Sequence, residues 1–394
     1  MSETVLAASA ALLEWREQFP ILSSSTYLVS HSMGAAPLGA RDALARYWEE
    51  WAADGPEAWE RWLPRIAEIA DGIGAIVGAP AGSCFLGPNV SVLQAAIATS
   101  LDFRGERNEV VYEALQFPSL TYVWREWERY GAVARIVASD DGRSIPTERI
   151  IEAITERTAI AVLSHAYYVS GAVADVRAIQ QHCRRVGALL CVDAYQTTGI
   201  YPYDVTEWDL DLVTGGSHKW LCGGPGCGWL YVKPALLERF SPAVTGWMAH
   251  ARPFAFEAAP IVHAPSMYRF GNGTPTIPGY MVAGPGHSAI ASIGVARIRE
   301  RNVQLTQKIA AMALERGLTV NSPLEPQRRT GWIGIDFEGS EQASRCLIQR
   351  RVFVDYRPGC GIRVGPHFYT ADEEIDEFFA VLESVTRPAV SRPM

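Results

Sequence analysis

"DLVTGGSHKWLCGGPGCGWLYV", residues 211–232, opens as an apolar run, passes through a Ser-His-Lys step and a chain of glycines, and closes on a second apolar run. Lys219 stands out in it. The chain has only three lysines, Lys219, Lys233 and Lys308, among 35 basic residues. A cation needed for charge or solubility is arginine almost everywhere else. A primary amine that must react with an aldehyde has no such substitute, because a guanidinium stays protonated and is a poor nucleophile. Both apolar runs read as strands, and a reactive amine lies between them.

The same rhythm extends outward. "SCFLG", "NEVVYEA", "VARIVAS", "TAIAVLSHA" and "ALLCVDA" precede the quoted stretch as further strands bounded by turn residues. Helical patterns such as "VSVLQAAIATSLDF", "SLTYVWREWERYG" and "DVRAIQQHCRRVG" separate them. Nearly continuous apolar strands alternating with helices predict an α/β fold, a mostly parallel sheet with helices on both faces. A long helical pattern around 288–316 leads to a smaller α+β unit, where Thr370 followed by Glu373 predicts a capping box. We expect an N-terminal segment (1–50) packing with the small domain, a large domain (51–287) and a small C-terminal domain (288–394).

Composition narrows the function. The net charge of −8, with no basic stripe, argues against nucleic-acid binding. Seven scattered cysteines without a CxxC pair argue against a disulfide framework or a metal site, and favour a reducing cytoplasm. The first twenty residues read as an amphipathic helix rather than a signal peptide, and no apolar run is long enough for a membrane span.

In a parallel sheet, functional side chains collect beyond the C-terminal ends of the strands. Three strands deliver polar groups there: one ends in Asp193 and Gln196, one in Ser217, His218 and Lys219, and one in Asn89, Val90 and Ser91 at a helix start. Pyridoxal phosphate requires parts of this kind: an amine for a Schiff base, a carboxylate for the pyridinium, an anion cradle and a flat group on the ring. A helix N-terminus at Asn89–Ser91 suits the phosphate, with Ser217 and His218 as added donors. Phe117, between a strand and a helix, is placed to lie on the ring. Each residue alone has a blander reading, as surface lysine, helix cap or core aromatic. The order D-x-x-Q, then S-H-K-x-x-x-G-P-x-G, is what is specific. The glycines are not a nucleotide loop, since no Gly-Lys-Ser/Thr follows them.

At these residues the chain resembles the class V branch of fold-type I pyridoxal-phosphate enzymes, over nearly its whole length. The resemblance implies the fold-type I transferase fold, with Lys219 forming the internal aldimine, Asp193 on the pyridinium and Gln196 near the ring hydroxyl. Within that branch, "TYLVSHSMGAAP", "QFPSL", "GWMAH", "GNGTP" and "GIRVGPHFYT" resemble kynureninase motifs. They imply Phe117 as the stacking residue, Ser32 near the substrate and Arg363 as partner of the substrate carboxylate. They further imply that Trp247 and Thr274 reach the phosphate of a neighbouring subunit, hence a homodimer with shared sites.

Three positions depart from kynureninase. Leu120 stands for an aspartate, Gln196 for a histidine and His218 for a tyrosine. The expected activity is kynureninase-like cleavage of a side-chain bond in an amino-acid substrate, with a class V aminotransferase as the alternative. Cysteine desulfurase is disfavoured, because Cys360 lies only three residues before Arg363, and a non-catalytic cofactor-binding protein is disfavoured by the joint presence of Lys219, Asp193 and Arg363. Lys219, Asp193 and His218 are the expected catalytic groups, and His218 equally suits a phosphate ligand.

Overall fold

The computed structural model describes residues 10–386. Part of the expected N-terminal helix, residues 1–9, lies outside them; residues 10–13 are helical and Glu14–Gln18 form a 3-10 turn. A short strand, β1 (Thr26–Tyr27), leads to helices α1 (Leu38–Asp54) and α2 (Trp59–Val77). The large sheet follows: β2 (Cys84–Gly87), β3 (Glu109–Glu113), β4 (Val133–Val137), β5 (Thr158–Ser164), β6 (Leu189–Asp193), β7 (Leu212–Gly216) and β8 (Gly228–Val232). Its helices are α3 (Val90–Ala98), α4 (Pro118–Arg125), α5 (Thr147–Ala153) and α6 (Val176–Val186).

The seven strands lie in the order β2-β8-β7-β6-β5-β3-β4, and the pairings from β7 through β4 are parallel. β8 runs antiparallel to both β7 and β2. The reason is the short connection 217–227: a parallel return needs a crossover of a dozen or more residues, usually a helix. Lys219 lies in that connection, so the one hairpin of the sheet is also the loop that carries the amine.

Alternation along the strands divides the core in two. Ile160, Val162, Leu189, Cys191 and Leu212 pack with Leu93, Ile97 and Trp124 of α3 and α4. Ala161, Leu163, Leu190, Val192 and Val213 pack with α2, α6 and α7 (Ile277–Ile293) on the other face. Each Val, Leu or Ile side chain buried this way contributes about 1.5–3 kcal/mol. The strand period of two then fixes which strand-end residues face which layer.

Beyond α7 the chain breaks at Gly294, whose φ of 85° suits glycine, and continues as α8 (Val295–Glu315). Residue 288, where the sequence suggested a boundary, thus falls inside α7. The small unit contains β9 (Thr319–Val320), β10 (Ile333–Asp336), β12 (Asp355–Arg357) and β13 (Gly361–Val364) as one antiparallel sheet, ordered β12-β13-β10-β9. Helices α9 (Ser340–Gln349) and α10 (Asp372–Thr386) cover it, and β11 (Val352–Phe353) pairs in parallel with β1. α10 starts one residue later than the Thr370–Glu373 pattern suggests. Glu374 Oε2 accepts from Ala371 N at 2.7 Å, while Thr370 Oγ1 accepts from His367 N at 3.0 Å.

Candidate active site

Where β3, β5, β6 and β7 end, the polypeptide encloses a cavity of about 550 Å³ lined by Asn89–Val92, Phe117, Ser119, Leu120, Ser164, Ala166, Tyr168, Asp193, Tyr195, Gln196, His218 and Lys219. Parity puts it on the α3/α4 side. Asp193 follows Leu189 and Cys191 to that face, so its carboxylate emerges beside the helix starts.

Lys219 is half-buried, and its Nζ lies 4.7 Å from the Tyr195 ring centroid and 5.8 Å from that of Phe117. Burial lowers its ammonium pKa to about 8; Asp193 opposes this and Arg363 adds to it. The other two lysines are ion-paired, Lys233 to Asp209 at 2.6 Å and Lys308 to Asp376 at 2.8 Å. Asp193 Oδ1 accepts from Tyr195 N at 2.9 Å. Burial raises its carboxyl to about 6, against that hydrogen bond and the charge of Lys219. A cation on the far side of the cavity would hold it ionised.

Asn89 caps α3 through Oδ1, 3.1 Å from Val92 N. Its side chain is thereby committed, and the anion donors at this helix start are the Val90 and Ser91 amides and the Ser91 hydroxyl. Phe117 leads into α4 with Pro118 at the first helical position, and it meets Tyr168 edge-on at 5.3 Å. His218 stacks at a tilt against Tyr195, with Nδ1 3.5 Å from the phenol oxygen; burial, then Lys219, lowers its pKa to about 4. Gln196 Nε2 reaches the His31 carbonyl at 3.4 Å, while its Oε1 is buried without a partner.

Loops from distant parts of the chain hold the lysine segment from behind. Gly34 N donates to the His218 carbonyl at 2.7 Å, Trp220 Nε1 to the Gln196 carbonyl at 3.0 Å, and His367 Nε2 lies 2.8 Å from the Trp220 carbonyl.

Some expected residues are elsewhere. Ser217 has the parity of Val213 and turns to the opposite face, where its fully buried hydroxyl lies 2.9 Å from His287 Nε2 of α7. It does not line the cavity, although the sequence suggested it as a phosphate donor. Trp247 and Thr274 meet each other, Nε1 to Oγ1 at 3.4 Å, outside this cavity's lining. Ser32 lies in a tight turn with its N–H on the Val29 carbonyl. Arg363 lies behind the wall, donating to the Tyr168 carbonyl at 2.9 Å. The tryptophans of α1 and α2 serve packing and surface: Trp62 donates to Glu50 at 2.8 Å, and Trp48 is 63% exposed. Cys360 is fully buried and its thiol is pushed up to about 12. Among the lining residues that sequence reasoning missed are Tyr195, Tyr168, Ser164 and Ser119. Their signal was available, since Ser164 ends β5 as Asp193 ends β6, and Tyr195 lies within the quoted "DAYQ".

The aminotransferase class-V family model matches residues 90–378. The chain belongs to that family. Over 371 residues, covering 93% of this chain and 97% of the relative, it is 30% identical to the uncharacterized aminotransferase YcbU of Bacillus subtilis. It is 26% identical over 400 residues to the kynureninase of Geobacillus thermodenitrificans, covering 95% of this chain and 91% of that one. Among solved structures, a cysteine desulfurase from Thermococcus onnurineus superposes with a TM-score of 0.83 at 18% identity, covering 94% and 97% of the two chains. The cystine C–S lyase C-DES, solved with cysteine persulfide, gives 0.82 at 19% identity, covering 93% and 99%. These likenesses place the fold as fold-type I. The cofactor of the family is pyridoxal phosphate, and the cavity fits it: an amine with no ion-pair partner among the described residues, a facing carboxylate, an orphaned Gln196 oxygen and a helix N-terminus surround one space.

Proposed function

We propose that the protein cleaves a side-chain bond of an amino-acid substrate, in the manner of kynureninase, on pyridoxal phosphate held by Lys219. The observation that carries this is the Lys219 amine, which has no ion-pair partner among the described residues and lines one cavity with Asp193 and Gln196. When bound, the cofactor supplies an electron sink for the bonds at the substrate's α-carbon. Asp193 holds a proton at the ring nitrogen. Lys219, with its pKa near 8, accepts or returns a proton at the carbon atoms facing it near neutral pH. Phe117 and Tyr195 flank the amine with their rings. The Val90 and Ser91 amides bind the phosphate, and His218 hydrogen-bonds to it.

Full-length likeness to kynureninases supports the reaction class. Leu120, Gln196 and His218 all line the cavity, so its polarity beside the cofactor differs from that of kynureninase. The substrate we favour is therefore another amino acid. Transamination is the second reading, favoured by the relative named as an aminotransferase. The two separate in one experiment: incubation with an amino-acid panel, with and without a keto acid, followed by mass spectrometry. Cleavage products without keto acid support the proposal. A strict keto-acid requirement with amino-group exchange establishes the alternative. Borohydride reduction should leave the cofactor covalently on Lys219, and an adduct on Lys233 or Lys308 would refute the site.

A further inference from the structure

The guanidinium of Arg363 is already engaged. Its Nε donates to Asp355 Oδ1 at 2.8 Å and its Nη2 donates to Asp355 Oδ2, a two-pronged pairing, while Nη1 holds the Tyr168 carbonyl. Asp355 and Arg363 are register partners in the β12–β13 ladder, so the pairing is built into the sheet. Asp355 has two more neighbours: His31 Nε2 at 2.9 Å from Oδ1, and Arg357 Nη2 at 3.3 Å from Oδ2. The cluster lies directly behind the cavity. Tyr168 and Gln196 both line that cavity, and both are hydrogen-bonded to it, Tyr168 through Arg363 and Gln196 through the His31 carbonyl.

One carboxylate thus occupies the fork that a substrate carboxylate needs. Two carboxylates cannot share it without strong repulsion in a site this dry. Arg363 is 3% exposed and held on all sides, whereas Arg357 is 44% exposed and has room to follow a moving partner. Two guanidinium charges against one carboxylate leave a single surplus positive charge, enough for one incoming carboxylate. An uncharged amide cannot compete with Asp355 for a charge-assisted pairing of this kind.

We propose that Asp355 is a resident carboxylate that sets the selectivity of the site: it fills the fork of Arg363 until the single carboxylate of a monocarboxylic amino acid displaces it, and Arg357 and His31 then retain it. Asp355 is a positioning residue acting through Arg363. The proposal rests on the reading of Arg363 as the carboxylate partner and adds what guards it.

The test uses the pyridoxal-phosphate-loaded protein, with the common amino acids and their amides as probes, read by perturbation of the cofactor's absorbance. Asp355→Asn removes the competing charge and keeps the shape. It is expected to lower the apparent Kd of the amino acids that bind by roughly tenfold and leave their amides unchanged. Arg357→Gln, made at an exposed side chain, is expected to raise the Kd of the acids several-fold and spare the amides; it carries the test alone if Asp355→Asn does not fold. Acid affinity that is unchanged in the variants, or weakened equally for acids and amides, would overturn the proposal. Failure of the underlying reading looks different: Arg363→Gln would then leave the preference for acids over amides intact. If no amino acid perturbs the cofactor, the proposed function and this inference fall together.

Discussion

Glu113 illustrates how much a single buried group contributes. It ends β3, wholly buried, with Oε1 accepting from Ser164 N and Oε2 without a partner. Burial raises its carboxyl to about 7, with the nearby Asp193 charge adding to the effect. A folded pKa above the unfolded value of about 4.3 means that the unfolded chain gives up the proton first. The stabilisation is therefore complete below that value and is lost as pH rises through about 7. Glu113→Gln keeps the size and the acceptor and removes the titration. We expect it to melt near wild type at pH 4 and above it at pH 8, by an amount on the order of a few kcal/mol. Thermal melts across that range decide the matter, and a pH-independent difference would place the ionisation elsewhere. Asp193 differs from Glu113 in function, because it faces the cavity. Asp193→Ala should abolish turnover while Cys360→Ser, at a thiol sealed in the core, retains it. Steady-state rates at saturating cofactor compare the two.

At the scale of elements, the loop between β7 and β8 is the critical piece. It is braced by the N-terminal segment at Gly34, where a Cβ would stand inside the van der Waals distance of the Lys219 carbonyl oxygen and crowd Cys222. Gly34→Ala should force the loop outward, destabilise the fold by about 1–3 kcal/mol and weaken cofactor binding. Gly105→Ala, at an open position with nothing within 4 Å, should stay within about 0.5 kcal/mol of wild type. Parallel thermal melts and cofactor titrations of the two variants check this. The α3 start offers a milder case. Asn89→Ala loses the cap to Val92 and should cost about 1 kcal/mol, leaving the Val90 and Ser91 amides in place.

At the scale of the whole molecule, Trp247 and Thr274 define the question. They lie off their own cavity, and the Trp247 ring is flanked by Phe254 and Phe256, which are 55% and 73% exposed. Leu44, Trp48 and Trp51 of α1 are also exposed. We expect a second copy of the chain to cover such aromatic surface and to receive Thr274 at its phosphate end. Mixing the inactive Lys219→Ala protein with a disabled Thr274→Ala protein should restore up to about a quarter of the wild-type activity, the share expected from random pairing of protomers. Sedimentation should show a dimer. An active monomer would exclude the shared site, and subunit exchange without complementation would leave Thr274 serving its own chain. Among the described residues, no helix is long and apolar enough to cross a membrane.

The sequence by itself determined the strands and their helical connections, and it singled out the central lysine. These depend on local signals: apolar periodicity, glycine and proline punctuation, and the near-absence of lysine elsewhere. It also placed Asp193, Asn89 and Phe117 at strand ends, which is enough to bring them together in any parallel sheet of this kind. Tertiary structure alone decided the rest. Strand parity turned Ser217 toward His287 instead of the cavity, and only the paired sheet fixes which face is which. Register between β12 and β13 put Asp355 into the fork of Arg363, eight residues apart in sequence but directly opposed in space. The bracing of Lys219 by Gly34 and His367 joins the two ends of the chain. No periodicity encodes such contacts, because they depend on how separately specified elements pack.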